Sequence, residues 1–186
     1  MWYSFTVSLE YISYVDEQGN LTGETAEKLT AHNASTRKHL AFSIYLFDED
    51  GIFLMTKRAK TKKVWPGVLT NSCCGHPAPG ESTEDAIRRR CNYELGINQV
   101  TDIKCLLSDY SYITDPYNGI VENEFCPVFM GRIAKKSIKP NPDEVDQVIW
   151  LTWDEYRARI AAQPELFSFW TKEQTERIDA SVRESI

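Results

Sequence analysis

Residues 70–97, TNSCCGHPAPGESTEDAIRRRCNYELGI, carry the strongest local signals in this 186-residue chain. The segment opens with a loop that holds two adjacent cysteines and one of only three histidines. It continues into a predicted helix over residues 82–95, where Ser82 is suited to cap the start and Asp85 to complete a capping box. Gly96 follows the helix at the position where a left-handed residue usually ends one. We therefore expect a loop that carries candidate reactive side chains, followed by a short helix whose ends are set by Ser82 and Gly96.

The helix carries a carboxylate where an apolar side chain is expected. At 100° per residue Ile87, Cys91 and Leu95 form one stripe, and Glu94 falls inside it. A buried carboxylate needs a cation or hydrogen bonds, and Arg90 lies one turn earlier. Glu94 and Arg90 then form either an intrahelical ion pair at the core margin or part of a site. In the site, Glu94 holds a divalent cation that bridges to a phosphate, and Arg90 contacts that phosphate.

The length and the alternation of elements predict an α/β sandwich around a mixed sheet, with residues 1–186 forming one domain. Hairpins are predicted at 10–15 with 21–24 and at 40–47 with 52–58, because DEQGN and DEDG separate extended runs. Strands are predicted at 104–113, 119–131 and 145–151. Helices are predicted at 153–162, with Thr152 and Glu155 as a capping box, and at 170–182.

Composition restricts the partners and the compartment. A net charge of −6 argues against nucleic acid as the main partner. A local basic run is either a solvated face or an anion site; it comprises Lys57, Arg58, Lys60, Lys62 and Lys63. No apolar stretch approaches the ~18 residues that span a bilayer, and MWYSFTVSLEY lacks the features of a secretory signal. Five cysteines, an odd number, favour a reduced compartment. We expect a cytoplasmic protein without a membrane partner or an obligate protein partner.

A second group of polar residues lies in GIVENEFCPVF. Side chains alternate in a strand, so Glu122 and Glu124 are expected on the same face as Ile120 and Cys126. Two like charges at this spacing repel, which either an edge strand facing water or a shared metal ion would relieve. The three histidines, His32, His39 and His76, are structural residues or metal ligands. Three imidazoles and two carboxylates would suit a divalent ion such as Mn²⁺, Zn²⁺ or Mg²⁺.

The cysteine pair has two interpretations of its own. Free cysteines most often pack as small buried hydrophobic residues. Cys74, two residues before His76 and near basic side chains, is instead a candidate reactive thiol for nucleophilic catalysis or for proton transfer to carbon.

The 70–97 segment partly resembles the Nudix box, Gly-x5-Glu-x7-Arg-Glu-U-x-Glu-Glu-x-Gly-U, where U is aliphatic. Arg90 and Tyr93 stand where the box has two of its glutamates. The positions that do match are Gly75, Glu81, Arg89, Glu94, Gly96 and Ile97. This pattern indicates a diphosphate-binding scaffold that does not hydrolyse diphosphates.

Four motifs taken together resemble type I isopentenyl diphosphate isomerases, especially the bacterial enzymes. They are TNSCCGHP at 70–77, WPG at 65–67, TDP at 114–116 and IVENE at 120–124. The likeness extends from about residue 10 to about residue 172. It implies a Nudix-like α/β/α sandwich and the interconversion of isopentenyl and dimethylallyl diphosphates in isoprenoid biosynthesis. The Tyr-Asn that follows TDP is one residue longer than in relatives and leaves the spacing of the site residues intact.

The resemblance also implies roles for individual residues. Cys74 and Glu124 match the catalytic residues, Tyr112 the tyrosine that hydrogen-bonds the glutamate, and Trp170 the aromatic that covers the hydrocarbon. The metal ligands would be His32, His39, His76, Glu122 and Glu124. Glu94 resembles the ligand of a second ion, Mg²⁺, which is shared with the substrate diphosphate. The cations that hold this diphosphate would be Lys28, Arg58, Lys62 and Arg90.

Two other functions stay open on the sequence. A Nudix hydrolase of nucleoside diphosphate derivatives is disfavoured by Arg90 and Tyr93, because that chemistry concentrates metal on a carboxylate-rich helix. A metal-stabilised binding domain would leave the basic residues and Glu94 without a role.

Overall fold

A computed structural model describes residues 10–135 and 138–186, and in this part of the chain two sheets form, one of seven strands and one of five. The strands are β1 (Tyr11–Val15), β2 (Leu21–Glu27), β3 (His39–Leu40), β4 (Phe42–Phe47), β5 (Phe53–Arg58), β6 (Leu69–Thr70), β7 (Cys73–Gly75), β8 (Thr101–Leu107), β9 (Ser111–Ile113), β10 (Asn123–Phe125), β11 (Val128–Arg132) and β12 (Val145–Leu151). The helices are α1 (Lys28–Ala31), α2 (Thr83–Leu95), α3 (Trp153–Ala162) and α4 (Phe169–Arg183), with a 3-10 turn at Pro164–Leu166.

The larger sheet has the order β12-β5-β4-β11-β8, with β6 beside β5 and β7 beside β4. It is mixed, because β11 runs parallel to β4 while the other pairs are antiparallel. The smaller sheet has the order β2-β1-β3-β10-β9. Both predicted hairpins are confirmed as β1–β2 and β4–β5.

Strand β4 shows why helices cover both faces of the larger sheet. All six of its residues are buried, which is expected for a strand with a core on each side. Phe42, Ile44 and Leu46 pack in one cluster with the α2 stripe of Ile87, Cys91 and Leu95. Tyr45 and Phe47 pack in the other with Trp153 of α3 and Ile178 of α4. The predicted α/β sandwich around a mixed sheet is confirmed.

The ends of the helices agree with the sequence in most details. Gly96 adopts a φ of 66° after α2, and Thr152 and Glu155 form a capping box at α3. The box predicted for α2 is only half formed. The Asp85 N–H donates to Ser82 Oγ, but the Asp85 carboxylate accepts from the Ser82 hydroxyl and not from its backbone. None of the described helices is long and apolar enough to cross a membrane.

Two predicted strands were wrong in their extent. The 104–113 segment forms β8 and β9, and the 119–131 segment forms β10 and β11. In each case the chain passes from one sheet to the other, because β8 and β11 pair in the larger sheet and β9 and β10 in the smaller. The Cys126 N–H donates to Tyr110 O at 2.7 Å and ties the two crossings together. Ile120 and Glu122 therefore lie outside β10, and the expected regular alternation from 120 to 126 does not hold.

The predicted lack of a secretory signal at the N-terminus concerns residues 1–11, most of which lie outside the described part of the chain. The single-domain organisation of residues 1–186 stays a prediction.

Candidate active site

The three histidines come from separate elements and meet at one point. His32 follows α1, His39 lies in β3, and His76 follows β7. The backbone pairs His39 with Glu124 of β10, and Glu124 in turn with Tyr112 of β9. One ligand atom from each of His32, His39, His76 and Glu124 lies within 4.8 Å of the others.

The imidazole rings are oriented by the backbone. His32 Nδ1 donates to Lys28 O at 2.7 Å and His39 Nδ1 to Arg37 O at 3.0 Å, since a carbonyl can only accept. Each ring therefore presents Nε2 to the cluster, and His39 Nε2 lies 3.2 Å from His76 Nε2. A histidine that binds a metal through one ring nitrogen usually donates a hydrogen bond from the other to a carbonyl or carboxylate oxygen. His76 Nδ1 is buried and has no hydrogen-bond partner among the described residues.

The two glutamates hold different positions at the cluster. Glu124 Oε1 is 3.1 Å from His76 Nε2, and Glu124 Oε2 accepts from the Tyr112 hydroxyl at 2.8 Å. Glu122 Oε2 lies 3.7 Å from His32 Nε2, outside the tight four-residue group but beside it. Both side chains are about nine-tenths buried.

The electrostatics are those of a site built to hold positive charge. Burial, together with the negative charge of Glu124, raises the pKa of Glu122 to about 7. Burial, together with Lys28 and the neighbouring imidazoles, lowers the pKa of His76 well below its usual value. Neutral imidazoles and crowded carboxylates are the donor set that a divalent ion such as Mn²⁺ or Zn²⁺ binds. The cluster thus fits a divalent metal.

The two cysteines of β7 point to opposite sides of the strand. Cys73 packs beneath α2 in the same cluster as Cys91, where a hydrogen bond with that thiol, together with burial, raises the pKa of Cys73. Cys74 points towards the site, with its Sγ 3.3 Å from Ser43 Oγ and 3.1 Å from Asn71 Oδ1. Burial raises the pKa of Cys74 to about 12, so its sulfur carries a proton at neutral pH.

Several aromatic side chains pack in the same cluster as the Cys74 thiol, and one of them, Tyr112, contacts the Glu124 carboxylate. The rings of Tyr112 and Trp170 stack with centroids 6.1 Å apart, and Trp65 meets Trp170 edge-on at 6.4 Å. Tyr117, from the Tyr-Asn that follows TDP, stacks on Trp65 at 4.9 Å.

A second group of charges centres on Arg90 of α2, which is 5% exposed. Its guanidinium binds Glu94 Oε1 at 2.5 Å and Glu10 Oε1 at 2.7 Å, and lies 3.5 Å from Glu144 Oε1. Lys28 binds Glu10 at 2.6 Å, and Lys62 pairs with Glu144. We call this set the cation network; it comprises Lys28, Lys62, Arg90, Glu10, Glu94 and Glu144.

The cation network brings three of the four predicted diphosphate-binding cations together. Burial alone would raise the pKa of Glu10, but Lys28 and Arg90 lower it to about 2. Arg58 makes different contacts, because its guanidinium donates to the backbone oxygens of Val64 and Trp65 and lies 5.8 Å from the Trp170 ring. The Glu94–Arg90 ion pair is present, as the simpler interpretation of α2 expected.

Sequence reasoning missed three contributors to this region: Glu10, Glu144 and Asn71. Glu10 lies 80 positions before Arg90, and Glu144 lies in a loop, so neither has a periodic signal.

The absence of a side chain at Gly75 has a clear structural reason, since a Cβ there would lie 2.8 Å from Arg90 Cγ. A glycine at the end of β7 therefore leaves room for the aliphatic part of the buried Arg90 side chain.

The comparisons with known proteins agree with this geometry. Residues 37–171 match the model of the NUDIX domain. The chain is 45% identical over 176 residues to the isopentenyl-diphosphate Delta-isomerase of Mycolicibacterium vanbaalenii, with 95% of each chain covered. It is 48% identical over 175 residues to the enzyme of that name from Shigella dysenteriae, with 94% of each covered.

Solved structures show the same fold at lower identity. DR0079 from Deinococcus radiodurans is 22% identical with a TM-score of 0.69, covering 91% of this chain and 99% of its own. A MutT protein from Methanosarcina mazei is 18% identical with a TM-score of 0.60, covering 77% of this chain and 94% of its own. By its matched domain and its full-length relatives, this chain belongs to the isopentenyl-diphosphate Delta-isomerase family within the NUDIX fold.

Proposed function

We propose that this protein interconverts isopentenyl diphosphate and dimethylallyl diphosphate by moving a carbon–carbon double bond. The observation that carries the proposal is the placement of two proton-transfer groups, Cys74 and Glu124, among aromatic rings. Cys74 packs against the same core cluster as Tyr112, and Tyr112 holds Glu124. The three basic side chains of the cation network, Lys28, Lys62 and Arg90, can supply positive charge for a diphosphate, and the family relatives support the same reaction.

Lys28, Arg58, Lys62 and Arg90 are proposed to bind the diphosphate. Three of them are now paired with carboxylates, and phosphate oxygens accept the same charge-assisted hydrogen bonds that Glu10 and Glu144 accept. Glu94 is proposed to hold a Mg²⁺ together with the diphosphate, because Mg²⁺ prefers a mixture of carboxylate, phosphate and water oxygens. The substrate diphosphate would thus supply some of the oxygen ligands of this Mg²⁺.

A second divalent ion, Mn²⁺, Zn²⁺ or Mg²⁺, is proposed at the His/Glu cluster. Its ligands would be His32, His39, His76, Glu122 and Glu124. When bound, such an ion offsets the charge of the crowded carboxylates and tunes the acidity of Glu124. The hydrogen bonds of His32 and His39 to backbone oxygens keep their rings ready for this role.

The reaction requires two proton transfers at carbon. One group adds a proton to the terminal methylene of isopentenyl diphosphate, which gives a tertiary carbocation-like intermediate. The other group removes a proton from C2, and the double bond forms between C2 and C3. Cys74 and Glu124 are proposed as these two groups, acting as general acid and general base.

The aromatic side chains are proposed to protect the intermediate. The face of Trp170 stabilises a cation without reacting with it, an interaction worth on the order of 2 kcal/mol when desolvated. Trp65 and Tyr112 pack near the same Trp170 ring. They are proposed to exclude water from the site, because water would trap the cation as an alcohol.

The proposed partner is a small-molecule diphosphate, and the proposed compartment is the cytoplasm. Support for a reducing compartment comes from the five cysteines, all of which are free thiols.

The test is to incubate the purified protein with isopentenyl diphosphate and Mg²⁺ and to follow the products by NMR. Cys74→Ala should abolish isomerisation while it leaves diphosphate affinity nearly intact. Cys73→Ala is the matched control, because Cys73 lies on the opposite side of β7 and packs beneath α2. Equal loss in both variants would show that the wrong thiol has been assigned or that the pair acts together.

A further inference from the structure

Asn71 lies between β6 and β7 with its side chain completely buried. Its Nδ2 donates to two backbone oxygens, Ile44 O at 3.1 Å and Cys73 O at 2.9 Å. An amide nitrogen has only two hydrogens to donate, so both are used. The direction of the other amide atom, Oδ1, is therefore fixed by the backbone of β4 and β7.

The fixed oxygen contacts both the thiol and the aromatic side chain of the site. Asn71 Oδ1 accepts from Cys74 Sγ at 3.1 Å and from Trp170 Nε1 at 3.3 Å. The hydroxyls of Thr70, at 2.9 Å, and Thr171, at 3.4 Å, also lie within hydrogen-bonding distance of this oxygen, so four donors share its two lone pairs. One atom thus joins β7, which carries Cys74, to α4, which carries Trp170.

We propose that Asn71 is a positioning residue that sets the rotamer of the Cys74 thiol relative to the Trp170 ring. A cysteine side chain has three staggered positions, and a hydrogen bond to a fixed acceptor selects one of them. The same acceptor holds the indole N–H, so the sulfur and the ring keep a constant separation. This inference rests on the proposed function, because it gives Asn71 a role only if Cys74 transfers protons beside Trp170.

The experiment compares Asn71→Ala and Asn71→Ser with the control Thr70→Val. Thr70 donates to the same oxygen and is buried to a similar degree, but the structure shows no contact from its hydroxyl to Cys74 or Trp170. The serine variant keeps a small polar side chain at this buried position and gives a second, independent test of folding. Its oxygen is one bond closer to the backbone than Oδ1 and does not reach the thiol as Oδ1 does. Steady-state kinetics with isopentenyl diphosphate and thermal unfolding are measured for each variant.

A misplaced reacting group costs about 100-fold in rate for ~1 Å of displacement. We expect kcat to fall about 100-fold in folded Asn71 variants with KM nearly unchanged, and Thr70→Val to keep kcat within a few-fold. A kcat near that of the wild type in a folded Asn71 variant would overturn the proposal, as would equal losses in Thr70→Val. Failure of both Asn71 variants to fold would assign the residue to stability and overturn it too. If the wild-type protein itself does not isomerise the substrate, the proposed function fails, which is a separate result.

Discussion

Tyr112→Phe removes one hydroxyl from the site and leaves the ring in place. The lost interaction is the 2.8 Å hydrogen bond from the hydroxyl of the partly buried Tyr112 to Oε2 of the buried Glu124. A hydrogen bond to a charged group contributes about 1.5–3 kcal/mol, and each 1.36 kcal/mol is tenfold in rate. If the bond orients Glu124 for proton transfer, kcat should fall about 10- to 150-fold. KM should change little, because Tyr112 has no contact with the cation network.

Tyr110→Phe is the matched control for this experiment. Tyr110 is buried, and its hydroxyl donates to a carboxylate, Glu173 Oε2, at 2.9 Å. Its ring centroid lies 5.7 Å from that of Tyr112, so the two changes disturb the same region of the core. We expect Tyr110→Phe to keep kcat within about twofold with a similar change in melting temperature. Equal kcat losses in the two variants, or no loss in Tyr112→Phe, would refute the role given to the Tyr112–Glu124 bond.

Two further predictions concern metal binding and pH. The protein without substrate should retain one divalent ion per chain after dialysis, and a second, Mg²⁺, should bind only when a diphosphate analogue is added; Glu94→Gln should lose only the second. Two ions of equal affinity in the substrate-free protein, measured by metal analysis, would contradict this order. For stability, the folded pKa of Glu10 is about 2, against an ordinary 4.5, because Lys28 and Arg90 outweigh the effect of burial. A lowered folded pKa stabilises the protein above the unfolded pKa, and this contribution is lost as pH falls from about 4.5 towards 2. The free energy of unfolding of the wild type, minus that of Glu10→Gln, should therefore decrease over that range in urea titrations. A difference that is independent of pH would show that the ion pairs do not stabilise the fold.

Local rules were sufficient for the two hairpins and for α2, α3 and α4, whereas the four-residue α1 was not predicted. Ser82 and Gly96 delimit α2, and Thr152 with Glu155 starts α3, because capping depends on residues three or four positions apart. The extents of β8 to β11 could not be obtained in this way. Periodicity reports which face of a strand is buried, and it does not report that the chain leaves one sheet for another at 108–110 and at 126–127.

The same difference between local and long-range signals applies to the active-site residues. Residue types and spacing already suggested that His32, His39 and His76 join the Glu122–Glu124 pair at a divalent ion, but with low specificity because the residues come from separate segments. The resemblance to a known family turned this suggestion into a definite set of expected ligands. The contacts of Glu10 and Asn71 depend on partners 80 and about 100 positions away, Arg90 and Trp170. No short-range pattern encodes such contacts, so they became visible only in the folded chain.

This NUDIX scaffold is expected to move a carbon–carbon double bond and to leave the diphosphate intact. Arg90 and Tyr93 replace two carboxylates that a metal-activated water would need for attack on phosphorus. The most direct measurement incubates the protein with isopentenyl diphosphate and Mg²⁺ in deuterated water, with NMR of the carbon product and a phosphate assay on the same sample. We expect the NMR spectrum to show dimethylallyl diphosphate with deuterium bound to carbon, and the phosphate assay to show no release of phosphate. Steady phosphate release without deuterium uptake into the five-carbon unit would contradict it.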